Sequence, residues 1–223
     1  MNPRKVFDIV AFDMDGVLVD YPSSWTWIHK HFGVENETAL QAYLRDEIDD
    51  LEFMKRDIAL WKDRIERLSI DELRDILSQI PLSRGIMETV MTLKERGIKT
   101  VIVSGGLDIV AERLKNEFGF DDYIANGVKC DENGFLTGEG ILRVKLKNKN
   151  HALESILEKF AVSRRRAVCI GNSSVDVSMF RGCGLSIAFN PVDDVVARNA
   201  HLTIVSKDLR SILPYIIDVH YSL

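Results

Sequence analysis

Positions 6–12 are apolar apart from Asp8, and the run stops at Asp13. A block so short and so rich in Val, Ile and Phe predicts a strand buried on both faces. The following sixty residues have another texture: charged, nearly free of Gly and Pro, and apolar at helical spacing. Leu40, Tyr43, Leu44, Ile48 and Leu51 carry that period, and Ile58, Trp61, Ile65 and Leu68 continue it. Ser69 and Glu72 have the form of a capping box ahead of Leu73, Ile76, Leu77 and Ile80, and Pro81 stops the run. Positions 21–80 are therefore predicted as an all-helical insert of three or four helices.

After Pro81 the pattern alternates. Helices are predicted over 87–96, 107–118, 150–160, 174–181, 192–198 and 208–217. Strands are predicted over 98–103, near 123–125, and over 167–170, 185–189 and 202–205. Positions 128–144, turning at Asn133-Gly134, read as a hairpin. Strands separated by helices imply an α/β fold, a Rossmann-like parallel sheet covered on both faces, here with a small helical cap inserted after the first strand. The expected division is a core of 1–20 and 81–223, with the hairpin near 127–146, and a cap of 21–80.

Composition narrows the function classes. The 223 residues are 46% hydrophobic and 28% charged, enough to bury a sizeable core. A formal net charge of −5 argues against nucleic acid or an acidic membrane as partner, since both reward basic surfaces. The N-terminal apolar stretch is too short for a secretion signal or a membrane span. Cys130, Cys169 and Cys183 are odd in number and lack metal-ligand spacing. They are expected to be reduced thiols in a cytoplasmic protein.

In a parallel sheet, ligands bind beyond the carboxyl ends of the strands. Three polar clusters follow predicted strands: Asp13-Met14-Asp15-Gly16, Ser104-Gly105-Gly106 and Gly171-Asn172-Ser173-Ser174-Val175-Asp176. Two neighbouring carboxylates favour a divalent cation or a shared proton, and Mg²⁺ suits a phosphate site because it needs few protein oxygens. Val17 stands where a calcium loop needs an oxygen, which excludes an EF-hand. Ser104 offers a hydroxyl and the glycines offer backbone N–H groups, both suited to phosphate oxygens. Asn172 and Asp176 can ligate a metal, cap a helix, or do both. One of Lys145, Lys147 and Lys149 could neutralise phosphoryl charge, the others forming a solvated edge. Trp25, Trp27, His29 and His31 fit the core side of an amphipathic helix better than a substrate mouth. Arg164-Arg165-Arg166 reads as a solvated turn away from the site.

Taken in order, these segments resemble the haloacid dehalogenase superfamily, most closely its phosphoserine-phosphatase-like branch. Phe12-Asp13-Met14-Asp15-Gly16-Val17-Leu18-Val19 resembles its first motif, Val103-Ser104-Gly105-Gly106 its second, and Lys149 its third-motif lysine, with Lys147 in reserve. The segment from Gly171 to Phe180 resembles the fourth, and Lys207-Asp208-Leu209-Arg210-Ser211-Ile212-Leu213 resembles the tail of the branch. The resemblance implies a Mg²⁺-dependent phosphatase acting on a small phosphorylated metabolite. Asp13 would be the nucleophile and Asp15 the acid/base. Ser104, Gly105 and Lys149 would hold the phosphoryl group, and Asp13, Asp15, Asn172 and Asp176 would serve the metal. A phosphotransferase or mutase using the same intermediate, and a non-catalytic binder of phosphate compounds, are the alternatives.

Two features depart from the pattern. Asn172 stands where the fourth motif usually carries Asp, which predicts weaker metal binding. The cap glutamate and arginine with which phosphoserine phosphatases address the amino acid fall here at Pro22 and near Leu60. The resemblance therefore does not carry phosphoserine over as the substrate.

Overall fold

The computed structural model describes residues 6–217. The first apolar block forms β1 (Ile9–Phe12), fully buried as its unbroken hydrophobicity requires. Four helices follow in the stretch up to Pro81: α1 (Ser24–Phe32), α2 (Glu37–Leu44), α3 (Asp50–Lys62) and α4 (Ile70–Ser78). Three of them, α1, α3 and α4, begin on a side-chain cap that the sequence supplies. The Ser23 side chain accepts the N–H groups of Trp25 and Thr26, Asp49 caps α3, and Ser69 with Glu72 closes a complete capping box on α4.

The remainder alternates as α5 (Ile86–Glu95), β2 (Lys99–Leu107), α6 (Asp108–Phe118), β3 (Asp122–Cys130), β4 (Leu136–Ile141), α7 (Asn150–Lys159) and β5 (Ala167–Gly171). It ends with α8 (Val177–Phe180), β6 (Leu185–Phe189), α9 (Asp194–Asn199), β7 (Leu202–Ile204) and α10 (Leu213–Ile217). Among the described residues the strands form one seven-stranded sheet ordered β4-β3-β2-β1-β5-β6-β7. All pairs are parallel except β3 with β4, the hairpin. The order reverses at β1, which marks the crevice where an α/β sheet binds ligands.

Register fixes the rim. Phe12 lies beside Ile102 of β2 and Ile170 of β5, so the residues after all three leave the sheet at one end. One apolar cluster runs from this sheet into the helical stretch, joining Val10, Phe12 and Ile170 to Trp25, Ile28, Met54, Ile58 and Trp61. The hairpin also grips that stretch: Lys62 Nζ donates to the Leu136 carbonyl (2.8 Å), and the Ile70 N–H donates to the Gly134 carbonyl (2.9 Å).

Several expectations change. The strand expected over 98–103 runs on through Ser104-Gly105-Gly106 to Leu107, with a shift of register against β3 between Ser104 and Leu107. Two glycines leave that extended edge open to close neighbours. The helix expected over 174–181 is a 3-10 turn at Ser174–Asp176 and the single turn of α8. The one expected over 208–217 is likewise a 3-10 turn, Leu209–Ile212, leading into α10. Cys169 and Cys183 are not free thiols. They meet in a disulfide, their Cα atoms 6.4 Å apart and 14 residues apart in sequence, while Cys130 remains free. The thiol count therefore no longer supports a cytoplasmic location. Among the described residues, no helix is long and apolar enough to cross a membrane.

Candidate active site

Lys149 is the centre of charge at the rim. Its Nζ donates to Asp13 Oδ1 (2.8 Å) and Asp176 Oδ1 (2.7 Å), with the lysine and both acids almost fully buried. Lys149 precedes α7, and its backbone N–H donates to Ser178 Oγ (2.9 Å), so α8 fixes the point from which the side chain extends. The neighbouring lysine behaves differently. Lys147 donates to the Tyr43 carbonyl and to Asp46 of the helical stretch, which removes it as the reserve.

One ammonium shared by two carboxylates leaves the cluster short of positive charge. Burial, then the Asp176 carboxylate, push the Asp13 pKa up to about 6 against the pull of Lys149. The two carboxylates raise the Lys149 pKa despite its burial, so it stays charged. Asp176 spends its second oxygen on the N–H groups of Asn172 (2.9 Å) and Ser173 (3.0 Å). Capping and site architecture are here one arrangement.

Asp15 occupies a second compartment. Burial pushes its pKa to about 7, opposed chiefly by a hydrogen bond from the Ser24 N–H. Asp15 Oδ2 accepts the Ser24 hydroxyl (3.0 Å), whereas Asp15 Oδ1 is buried with no partner among the described residues. Gly16, at φ +77°, turns the chain beneath the Asn172 amide, and any side chain there would strike it. That contact brings the first and last polar clusters together.

Ser104 stands on the same rim, 1% exposed, where its Oγ accepts the Gly106 N–H (3.1 Å). The Gly105 carbonyl is held by Trp25 Nε1 (3.1 Å) and Asn126 Nδ2 (3.2 Å). Asn126 Oδ1 in turn accepts the N–H groups of Arg143 and Val144, both at 2.8 Å. Sequence reasoning missed Ser24 and Asn126. Ser24 is hidden in what reads as a helix start, and Asn126 inside a strand has no local signal at all.

The other singled-out residues divide. Trp25 braces Gly105, Trp27 Nε1 donates to the Ile76 carbonyl (3.0 Å), and His29 is buried 3.2 Å from Asp57, while His31 is exposed. Arg166 pairs with Asp8 at the opposite end of the sheet.

A divalent cation fits a smaller donor set than the four side chains expected. Asp176 has both oxygens engaged, and no group of three or more His, Cys, Asp or Glu side chains converges as a cage among the described residues. The Asp13 carboxylate and the Asn172 side chain, whose amide nitrogen is the atom nearest the Gly16 turn, remain as candidate donors beside an under-compensated negative cluster. Mg²⁺ is suited to such a sparse oxygen set, since it retains waters.

The haloacid dehalogenase-like hydrolase family model matches residues 10–181. A phosphoserine phosphatase of Methanocaldococcus jannaschii is 30% identical over 96% of this chain and 99% of its own length. One of Archaeoglobus fulgidus is 34% identical over 85% of this chain and 56% of its own. A substrate-bound phosphoserine phosphatase structure superposes with a TM-score of 0.80 at 29% identity, covering 94% of this chain and 98% of that one. A phospho-aspartyl intermediate analogue of phosphoserine phosphatase gives 0.79 at 30% identity, covering 94% and 99%. End-to-end agreement of sequence and fold means that the chain belongs to the haloacid dehalogenase-like hydrolases, in their phosphoserine-phosphatase-like branch, and is a phosphatase.

Proposed function

We propose that the protein hydrolyses a small phosphate monoester through a phosphorylated Asp13. The observation that carries this reading is the buried contact of Lys149 Nζ with Asp13 Oδ1 and Asp176 Oδ1. It holds one carboxylate at the rim, restrained in rotamer and facing a fixed positive charge. In the first step an Asp13 oxygen forms a bond to phosphorus as the ester P–O bond breaks, and Asp15 gives its proton to the leaving oxygen. In the second, Asp15 takes a proton from water as the water oxygen displaces Asp13 and inorganic phosphate leaves. The Asp15 pKa near 7 allows it to hold a proton for one step and lack it for the next.

Ser104, the Gly105 N–H and Lys149 would stabilise the charge spread over the equatorial oxygens. Mg²⁺ would be held by Asp13, the Asp15 backbone carbonyl and Asn172, with Asp176 orienting its surroundings. When bound, it would neutralise phosphoryl charge. Residues 21–80 would act as a cap over a core of 1–20 and 81–223, of which 1–5 and 218–223 lie outside the described residues. A cap of this kind excludes water and bulky substrates.

The substrate class is a small phosphorylated metabolite. The relatives are named for phosphoserine, but Pro22 and Leu60 cannot supply the carboxylate and guanidinium expected to address an amino acid. Phosphate release from p-nitrophenyl phosphate and a panel of phosphorylated metabolites, with Mg²⁺ and with or without alcohol acceptors, tests the reading. Turnover is expected in the wild type and lost in Asp13→Asn. Undiminished turnover in that variant would refute it.

A further inference from the structure

Three segments distant in sequence meet at one hydroxyl. Ser24, fully buried in the first turn of α1, donates through Oγ to Asp15 Oδ2 (3.0 Å) and accepts the Leu107 N–H (2.9 Å). The next residue, Trp25, donates from Nε1 to the Gly105 carbonyl (3.1 Å). The start of α1 thus grips both the acid after β1 and the end of β2.

Gly106 shows how closely the parts fit. A Cβ there would fall 2.5 Å from Asp15 Oδ2 and 2.7 Å from Ser24 Oγ. Only glycine lets the strand edge, the carboxylate and the hydroxyl share this space.

The hydrogen-bond inventory then distinguishes the two oxygens of Asp15. A hydroxyl has one hydrogen, and with the Leu107 N–H pointing at Oγ that hydrogen is directed to Asp15 Oδ2. Oδ2 is therefore committed as an acceptor. Oδ1 is buried and has no hydrogen-bond partner among the described residues. We infer that Ser24 is a positioning residue that holds Asp15 by Oδ2 so that Oδ1 exchanges the proton with the leaving oxygen and with the attacking water. Because Ser24 belongs to α1 and also accepts the Leu107 N–H, the packing of that helix against the end of β2 is what fixes its grip on Asp15.

The inference rests on Asp15 acting as acid/base, and the proton balance follows that scheme. The Oδ1–H bond breaks as the leaving oxygen gains its hydrogen, and it re-forms with a hydrogen from water.

Esters that differ in leaving group provide the test. A good leaving group departs with little help from an acid, while a poor one depends on it. Rates of p-nitrophenyl, phenyl and p-methoxyphenyl phosphate hydrolysis should be compared in wild type, Ser24→Ala, Ser24→Cys and Asp15→Asn. Ser24→Ala is expected to lose about 10–100-fold in kcat/KM on the two poorer esters and less than about 3-fold on p-nitrophenyl phosphate, a fraction of the full acid/base contribution. Ser24→Cys, similar in size but a weaker donor, should fall between them and reads the same ratio if the alanine variant does not fold. The ratio between esters is independent of the fraction of active enzyme, so a merely structural defect leaves it unchanged. Equal losses on all three esters, with Asp15→Asn still selectively impaired on the poorer ones, would overturn the role of Ser24 alone. An Asp15→Asn enzyme as active as wild type on phenyl phosphate would overturn the acid/base reading and the inference together.

Discussion

Replacing Lys149 by Met keeps most of the side chain's volume and removes its charge. In the native protein the ammonium lies 2.8 Å from Asp13 Oδ1 and 2.7 Å from Asp176 Oδ1, with side-chain exposures of 2%, 5% and 0% for the three residues. Removing one partner from a buried ionic group typically costs about 3–5 kcal/mol, because the remaining charge is left in a medium that solvates it poorly. For a domain of this size each kcal/mol lowers the melting temperature by about 2–4 °C, so a fall of about 6–20 °C is expected at pH 8. The sign of the pH dependence follows from the carboxylates. Burial already raises Asp13 to about 6, and loss of the ammonium raises it further. A folded-state pKa above the unfolded value makes stability decline as pH rises through that interval. The deficit of the variant should therefore be largest at pH 8 and shrink towards pH 5. Thermal melts of both proteins in chelator, at several pH values, provide the measurement. A variant that melts within about 2 °C of the wild type at pH 8, where one kcal/mol already accounts for such a shift, would refute the electrostatic reasoning.

Two further outcomes follow from the same structure. Asn172→Asp adds a carboxylate beside the Gly16 turn. It is expected to tighten Mg²⁺ binding about tenfold, as charge count tunes such sites, while lowering the melting temperature in chelator. Isothermal titration showing tighter Mg²⁺ binding by the wild type would contradict this. The Cys169–Cys183 bond predicts one thiol, that of Cys130, in the denatured unreduced protein. Its reduction should cost about 3 kcal/mol by the loop-closure relation, and a count of three thiols would rule the bond out.

The expectations that held depend on local chemistry. The strand at β1, expected over 6–12 and formed over Ile9–Phe12, was readable because burial on both faces leaves an unbroken apolar run after Asp8. The α4 capping box was readable because its donors and acceptors lie three residues apart. The fold class followed from the alternation of these elements, and the rim from the rule that a parallel sheet directs its strand ends one way. What failed was also local in origin. The glycines at 105 and 106 signal a turn by propensity, but they form a bulge between Ser104 and Leu107, both paired with β3, and the Gly105 carbonyl is held by Trp25, so the strand runs on through them. Cysteine counting could not foresee a bond whose partners meet only because β5 and β6 are neighbours.

By itself the sequence determined which segments become strands and helices, and which polar clusters stand at the sheet's carboxyl end. Alternation alone does not choose between Lys145, Lys147 and Lys149; the family resemblance favours Lys149 with Lys147 in reserve, and the final choice depends on what each meets in space. Packing decided it, turning Lys149 onto two buried acids and Lys147 onto the helical stretch. Packing also made Ser24 a partner of Asp15 and Leu107, 9 and 83 residues away. Hydrogen bonds and charges act over a few ångströms of space, while sequence patterns report only what lies a few residues along the chain.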